Sequence, residues 1–136
     1  MMTSILIAVA LDHEPILDRK IAHARHNLAP GGKITLITVL EQVSGFTAEF
    51  VTVKSENHLT DRIMSHLKSL AGNAPDIDCR VASGKAGVQI AAVATEIGAD
   101  LIIVGAHNPL GALDYFLGST AARVVRRAPC SVCVLR

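Results

Sequence analysis

Gly105 and Gly118, with Ser119-Thr120 directly after the second glycine, are the residues whose types and spacing best suit chemistry. The apolar run Leu101-Ile102-Ile103-Val104 leads into Gly105, and Gly118 precedes Ser119 to Arg127, a stretch that predicts a helix. The first turn of a helix carries N–H groups with no intrahelical partner and the positive end of the helix dipole, which together attract an anion such as phosphate. Glycine lets backbone come close to a ligand. The hydroxyls of Ser119 and Thr120 add donors, and Ser119 also suits the N-cap position. His107 and Asn108 lie in the intervening loop, where His107 suits either phosphate or solvent. The bland alternative makes Gly118 a chain break and Ser119 a cap with no ligand.

Other chemistry-bearing residues are less well placed. Asp12-His13-Glu14 suits an acidic turn that complements the dipole of the first helix, and Asp12 is also a candidate ligand contact. Cys130-Ser131-Val132-Cys133 has Cys-x-x-Cys spelling. Residues three apart in a strand face opposite sides, however, and the first cysteine follows a helix instead of opening one, so two structural thiols are expected. The six histidines show no pair at metal-ligand spacing with a carboxylate partner. Arg126 and Arg127 suit the negative end of the last helix, and Arg123, one turn earlier, has the better claim on a ligand or partner.

The elements that must position these residues alternate. Ser4 to Ala10 predicts a buried strand, Pro15 to Leu28 a helix stopped by Pro30-Gly31-Gly32, and Lys33 to Val39 a second strand. On the first helix Ile16, Leu17, Ile21, Ala24 and Leu28 form the apolar stripe, with Asp18, Arg19, Lys20 and His23 expected in solvent. Glu41 to Val53 has little pattern and precedes a helix over Val53 to Leu70. A strand over Ile77 to Ser83, a helix over Val88 to Ile97 closed by Gly98, a strand over Leu101 to Val104, the helix from Ser119 and a strand over Ser131 to Leu135 complete the chain. This alternation predicts a single α/β domain over residues 1–136: one open, five-stranded parallel sheet, doubly wound, with helices on both faces. Ligands of such sheets bind beyond the carboxyl ends of strands where the order reverses, here Ala8 to Asp12 and Val104 to Asn108.

Composition agrees. Half of the 136 residues are hydrophobic and only 3% are aromatic, so the core must be aliphatic, as in a parallel sheet covered on both sides. Lys plus Arg number 13 against 12 Asp plus Glu, a balance without the footprint of nucleic-acid or membrane-surface binding. No apolar run reaches the roughly 20 residues that span a bilayer. Three cysteines cannot all pair within the chain, which fits a reducing compartment, and cytoplasm is the expectation.

The opening Ile5-Leu6-Ile7-Ala8-Val9, the order of elements and the closing stretch from Gly105 to Leu135 resemble the universal stress protein family across essentially the whole chain. Nucleotide-binding members carry Gly, two residues, Gly, nine residues, Gly, then Ser or Thr. Gly105, Asn108, Gly118 and Ser119 keep that spacing with Asn at the second glycine, and Asn tolerates left-handed backbone best after glycine. Asn108-Pro109 also resembles an ATP-binding branch of the family. The resemblance implies a Rossmann-like fold of the adenine nucleotide alpha hydrolase type. It implies ATP, with Mg²⁺ as a possible companion, held by Gly105, Asn108, Gly118, Ser119 and Thr120 at the phosphates and ribose. Val104 would pack beside sugar and base, and Val39 would offer backbone groups to adenine. ATP-binding members usually carry Asp after the first strand. Ala8 and Val9 lead to Ala10 at that position, and Asp12 follows two residues later.

Three functions follow from these readings. One is an ATP-binding regulatory protein of the stress response, in which nucleotide orders residues 106–117 so that Asp114, Tyr115 and Phe116 meet an unidentified protein partner. Another is an interaction scaffold of the same fold without nucleotide. In both, the resemblance implies a homodimer through Ser131 to Leu135, an apolar edge open to pairing. An enzyme is the third. The chain has no Gly-x-Ser-x-Gly, no full Walker loop and no Gly-x-Gly-x-x-Gly, and only Asp12 and His107 offer a general base, so at most slow ATP hydrolysis is expected.

Overall fold

Among the described residues nine elements alternate: β1 (Met2–Ala8), α1 (Leu17–Asn27), β2 (Leu28–Leu40), α2 (Val53–Leu70), β3 (Ile77–Ser83), α3 (Ala86–Ile97), β4 (Leu101–Gly105), α4 (Ser119–Arg127) and β5 (Ser131–Leu135). The computed structural model describes residues 1–10, 16–40, 53–106 and 118–136, with side chains of α2 described from Leu59 onward. The strands form one parallel sheet in the order β3-β2-β1-β4-β5. The chain winds outward from β1 to β2 and β3, then crosses to the other side for β4 and β5. The order therefore reverses between β1 and β4, as expected, and their carboxyl ends form the crevice of a doubly wound fold.

Strand periodicity divides the core in two. Ile5, Ile7, Ile34, Leu36, Leu101 and Ile103 point to the side covered by Leu17 and Ala24 of α1 and Ile63 and Leu67 of α2. Leu6, Ile37, Ile102 and Val104 point to the other side, against Ile90, Val93 and Ala94 of α3 and Ala121 and Val124 of α4. β1 and β4 are buried on both faces, and this explains their unbroken aliphatic runs.

Several boundaries differ from the sequence expectation. β2 begins at Leu28, directly after α1, and carries Pro30-Gly31-Gly32 inside the strand. Met2 pairs with Leu28 but Ser4 pairs with Lys33, so these residues form an irregularity in the ladder where a chain break was expected. β1 ends at Ala8, though Val9 still donates to the Ile37 carbonyl at 2.8 Å. α3 starts two residues earlier than expected and ends as predicted at Gly98, whose left-handed backbone (φ 65°) turns the chain. The Ala99 amide then donates to the Ala94 carbonyl at 2.9 Å. At the opposite rim of the sheet from the crevice, one Asp100 carboxylate oxygen accepts from the Thr3 amide at 2.9 Å, the Thr3 hydroxyl at 2.8 Å and the Ser4 amide at 3.1 Å.

Candidate functional site

The crevice is built from the carboxyl ends of β1 and β4. Ile7 pairs with Ile103, so Ala8 and Val9 lie beside Val104 and Gly105. β2 flanks them, with Ala8 in register with Ile37 and Val39 two residues further on. A crossover helix between parallel strands must start at the strands' carboxyl edge, so the first turn of α4 opens on the same rim. Ala8, Val9, Ala10, Val39, Val104, Gly105, Gly118, Ser119 and Thr120 all belong to this rim. Asp12, His107 and Asn108 lie outside the described residues, as do Pro15 and the Asp114–Phe116 segment.

Each residue offers something different. Val9 and Val104 are 6% and 2% exposed and turn their side chains into opposite halves of the core, so their backbone, not their side chains, faces the rim. Ala10 is exposed and Val39 is half-buried. Gly118 is buried, Ser119 exposed and Thr120 half-buried. Gly118, not Ser119, is the N-cap, with φ −58° and ψ 154°, and Ser119 is the first helical residue. The expected Ser119 cap is thereby corrected. A glycine cap brings no side-chain oxygen to the first-turn amides, which leaves those N–H groups to other partners.

Neither glycine of the motif is required by backbone conformation. Left-handed φ among the described residues occurs at Gly31, Gly72, Gly84, Gly98 and Asn73, but not at Gly105 or Gly118. A Cβ on Gly105 would lie 3.4 Å from Ile16 Cδ1 and 3.5 Å from both Cε and Nζ of Lys20, ordinary contact distances. The described surroundings therefore leave room for a Cβ at 105.

Two side chains close over the end of β1. Lys20 Nζ donates to the Ala8 carbonyl at 2.8 Å, and the buried Thr38 hydroxyl donates to the Val9 carbonyl at 3.1 Å. Lys20 was expected in solvent but is 3% exposed. The signal was available: Lys20 stands three residues after Leu17 and four before Ala24, on the same buried stripe of α1.

The remaining candidates are placed away from this chemistry. Cys133 packs on the α1–α2 side, its Sγ 3.6 Å from His23 Nε2, and Cys130 packs on the α3–α4 side, so the two thiols face opposite ways as expected. Burial pushes the Cys79 and Cys130 thiols above their ordinary range, which makes them poor nucleophiles. Arg123 lays its stem against α3: a Cβ on Gly87 would come within 2.5 Å of Arg123 Cβ. Among the described residues no group of three His, Cys, Asp or Glu side chains could hold a metal ion, and no helix is long and apolar enough to cross a membrane.

An open parallel sheet whose order reverses between β1 and β4, with a glycine ending β4 and another capping α4, is a doubly wound α/β fold. Residues 2–136 match the sequence profile of the universal stress protein family, and the chain belongs to that family. A universal stress protein relative from Staphylococcus aureus strain USA300 is 34% identical over 144 residues, covering 98% of this chain and 83% of the relative. Among solved structures, universal stress protein UspA from Lactobacillus plantarum superposes with a TM-score of 0.68 at 23% identity, covering 98% of this chain and 97% of the other. A universal stress protein solved in complex with cAMP superposes at 0.64 and 20% identity, covering 99% and 97%.

Proposed function

We propose that the chain is a regulatory universal stress protein that binds adenine nucleotide, ATP with Mg²⁺ in first place, across the ends of β1 and β4. The observation that carries this reading is glycine at 105 and 118 where backbone torsion does not call for it. Backbone approach to a ligand accounts for both. The family spacing Gly105, Asn108, Gly118, Ser119 supports it, as does the cAMP bound by one structural neighbour. In this arrangement the first-turn amides of α4, with Ser119 and Thr120, hold the phosphates. The Val39 backbone meets adenine, and Ala8 to Ala10 border the nucleoside. Asp12, His107 and Asn108 are the further contacts that the sequence offers to this ligand. Nucleotide then acts by favouring one arrangement of residues 106–117, which a protein partner reads. A homodimer through β5 and a cytoplasmic location belong to the same reading.

A second reading, a scaffold without nucleotide, draws on the end of β1. Ala10 stands where ATP-binding members carry Asp, and the carbonyls of Ala8 and Val9 already accept from Lys20 and Thr38.

Mass spectrometry of the natively purified protein and calorimetric titration with ATP and Mg²⁺ separate the two. The expected result is co-purifying or titratable adenine nucleotide. No binding at millimolar ATP leaves the scaffold reading. Gly118→Asp is the companion variant. Aspartate is a good N-cap, so α4 should be retained, while its charge repels phosphate; the expected outcome is an unchanged circular dichroism spectrum with ATP affinity at least about tenfold lower.

A further inference from the structure

The near-neutral total of this chain hides an uneven distribution of charge. Ser119 to Arg136, the stretch that contains α4 and β5, holds four arginines and no acidic residue, while the residues before it hold nine Lys and Arg against twelve Asp and Glu. Three of the four, Arg123, Arg126 and Arg127, stand three and four residues apart on α4, so they share one face of the helix, and all three are exposed. Other cations have carboxylate partners: Arg25 pairs with Asp76, Lys33 with Asp78 and Arg80 with Glu96. Among the described residues no carboxylate pairs with the three arginines of α4.

Helix stability does not account for this stripe. Positive charge favours the last turn of a helix, which covers Arg126 and Arg127 but not Arg123. Like charges three and four residues apart repel, and Arg123 faces both of the others. Its stem is also held. A Cβ on Gly87 would lie 2.5 Å from Arg123 Cβ, 3.3 Å from Cδ and 3.5 Å from Cγ, so the stem runs along α3 while the residue stays exposed. An anion docked on this face removes the repulsion and meets a guanidinium whose stem is already positioned.

The chemistry of the patch selects the partner. A guanidinium presents a planar fork that matches a carboxylate with two parallel hydrogen bonds. The described residues include no aromatic side chain on which a nucleic-acid base could stack. Val125 is the one large hydrophobic that α4 exposes, too little to seat the helix in a bilayer surface. We propose that the Arg123-Arg126-Arg127 face of α4 is a docking surface for an acidic segment of a partner protein, rich in Asp and Glu. The proposal goes beyond nucleotide binding and does not require it.

The experiment is fluorescence anisotropy of a labelled hexaglutamate peptide titrated with the full chain, without nucleotide, at about 0.05 M salt. The expected result is saturable binding with a dissociation constant below about 100 µM. The triple variant Arg123→Gln, Arg126→Gln, Arg127→Gln should bind at least fivefold more weakly, while Arg19→Gln, an exposed arginine of α1, should change affinity less than twofold. Absence of saturable binding, a smaller loss in the triple variant or an equal loss in Arg19→Gln overturns the proposal. A single-stranded DNA oligonucleotide and phosphatidylserine-containing vesicles are titrated in parallel, and tighter binding of either than of the peptide overturns the acidic-protein partner in its favour. Circular dichroism checks folding. If the triple variant does not fold, Arg126→Gln decides: at least a twofold loss supports the proposal, and a smaller one overturns it.

Discussion

Asp100 anchors the rim of the sheet opposite the crevice. Its carboxylate takes three hydrogen bonds from the start of β1, and these hold it below the usual carboxylate range, the Thr3 amide bond contributing most and the Thr3 hydroxyl and Ser4 amide following. The sign of the pH effect follows. A carboxyl with a depressed folded pKa adds stability in full above its unfolded value near 4, and that stability fades as pH falls through the folded value. Asp100→Asn should therefore lower the melting temperature at pH 7, and the gap from wild type should close progressively below about pH 4. Thermal melts at pH 7, 4 and 3 check this; a gap that does not narrow on acidification contradicts it. The Arg25–Asp76 pair, with contacts of 2.7 and 3.1 Å, lowers the Asp76 pKa in the same sense. Both partners are substantially exposed, so solvent screening keeps its contribution within about 1 kcal/mol.

At the level of elements, α3 shows how a terminus is specified. Gly98 has φ 65°, and a Cβ there would meet nothing within 4 Å. Gly98→Ala therefore tests backbone conformation alone, with an expected loss of about 1–2 kcal/mol in chemical denaturation and a smaller loss for Gly98→Asn. This terminus was readable in advance because glycine after an alanine-rich stripe has one economical explanation. The alternation of strands and helices, the sheet's parallel sense and the crevice between β1 and β4 were readable for a similar reason: long aliphatic runs separated by amphipathic stretches admit few topologies. Other features were not. Pro30-Gly31-Gly32 has the composition of a terminator, yet the pairing partner Met2 draws Leu28 into β2 and the three residues become a fault in a continuing ladder. Ser119 has the chemistry of a cap, but the chain enters α4 one residue earlier. Lys20 was misassigned because a charge was weighed by its type and not by its phase on α1.

At the level of the molecule, β3 and β5 are the two edges of the sheet. β5 is short and half-buried on both faces, with Val132, Cys133, Val134 and Leu135 each packed against one half of the core. A second copy pairing there would extend the sheet. Sedimentation velocity at tens of micromolar should show a dimer, and Val132→Lys, which places a charge on the edge, should shift it towards monomer. A wild-type monomer at that concentration removes the β5 dimer from the proposal.

The central strand of this sheet is the first to be synthesised. β1 cannot acquire its β4 neighbour until Leu101–Gly105 has cleared the ribosomal tunnel, and Thr3 and Ser4 must wait for Asp100. The nascent chain can assemble β1, β2 and β3 early, but that half exposes one flank of β1 until β4 has been made. The junction of β1 with β4 is thus assembled late, after the β1-β2-β3 half of the sheet. A polypeptide stalled or truncated before residue 101 should be a substrate for chaperones and proteases rather than a ligand-competent fragment.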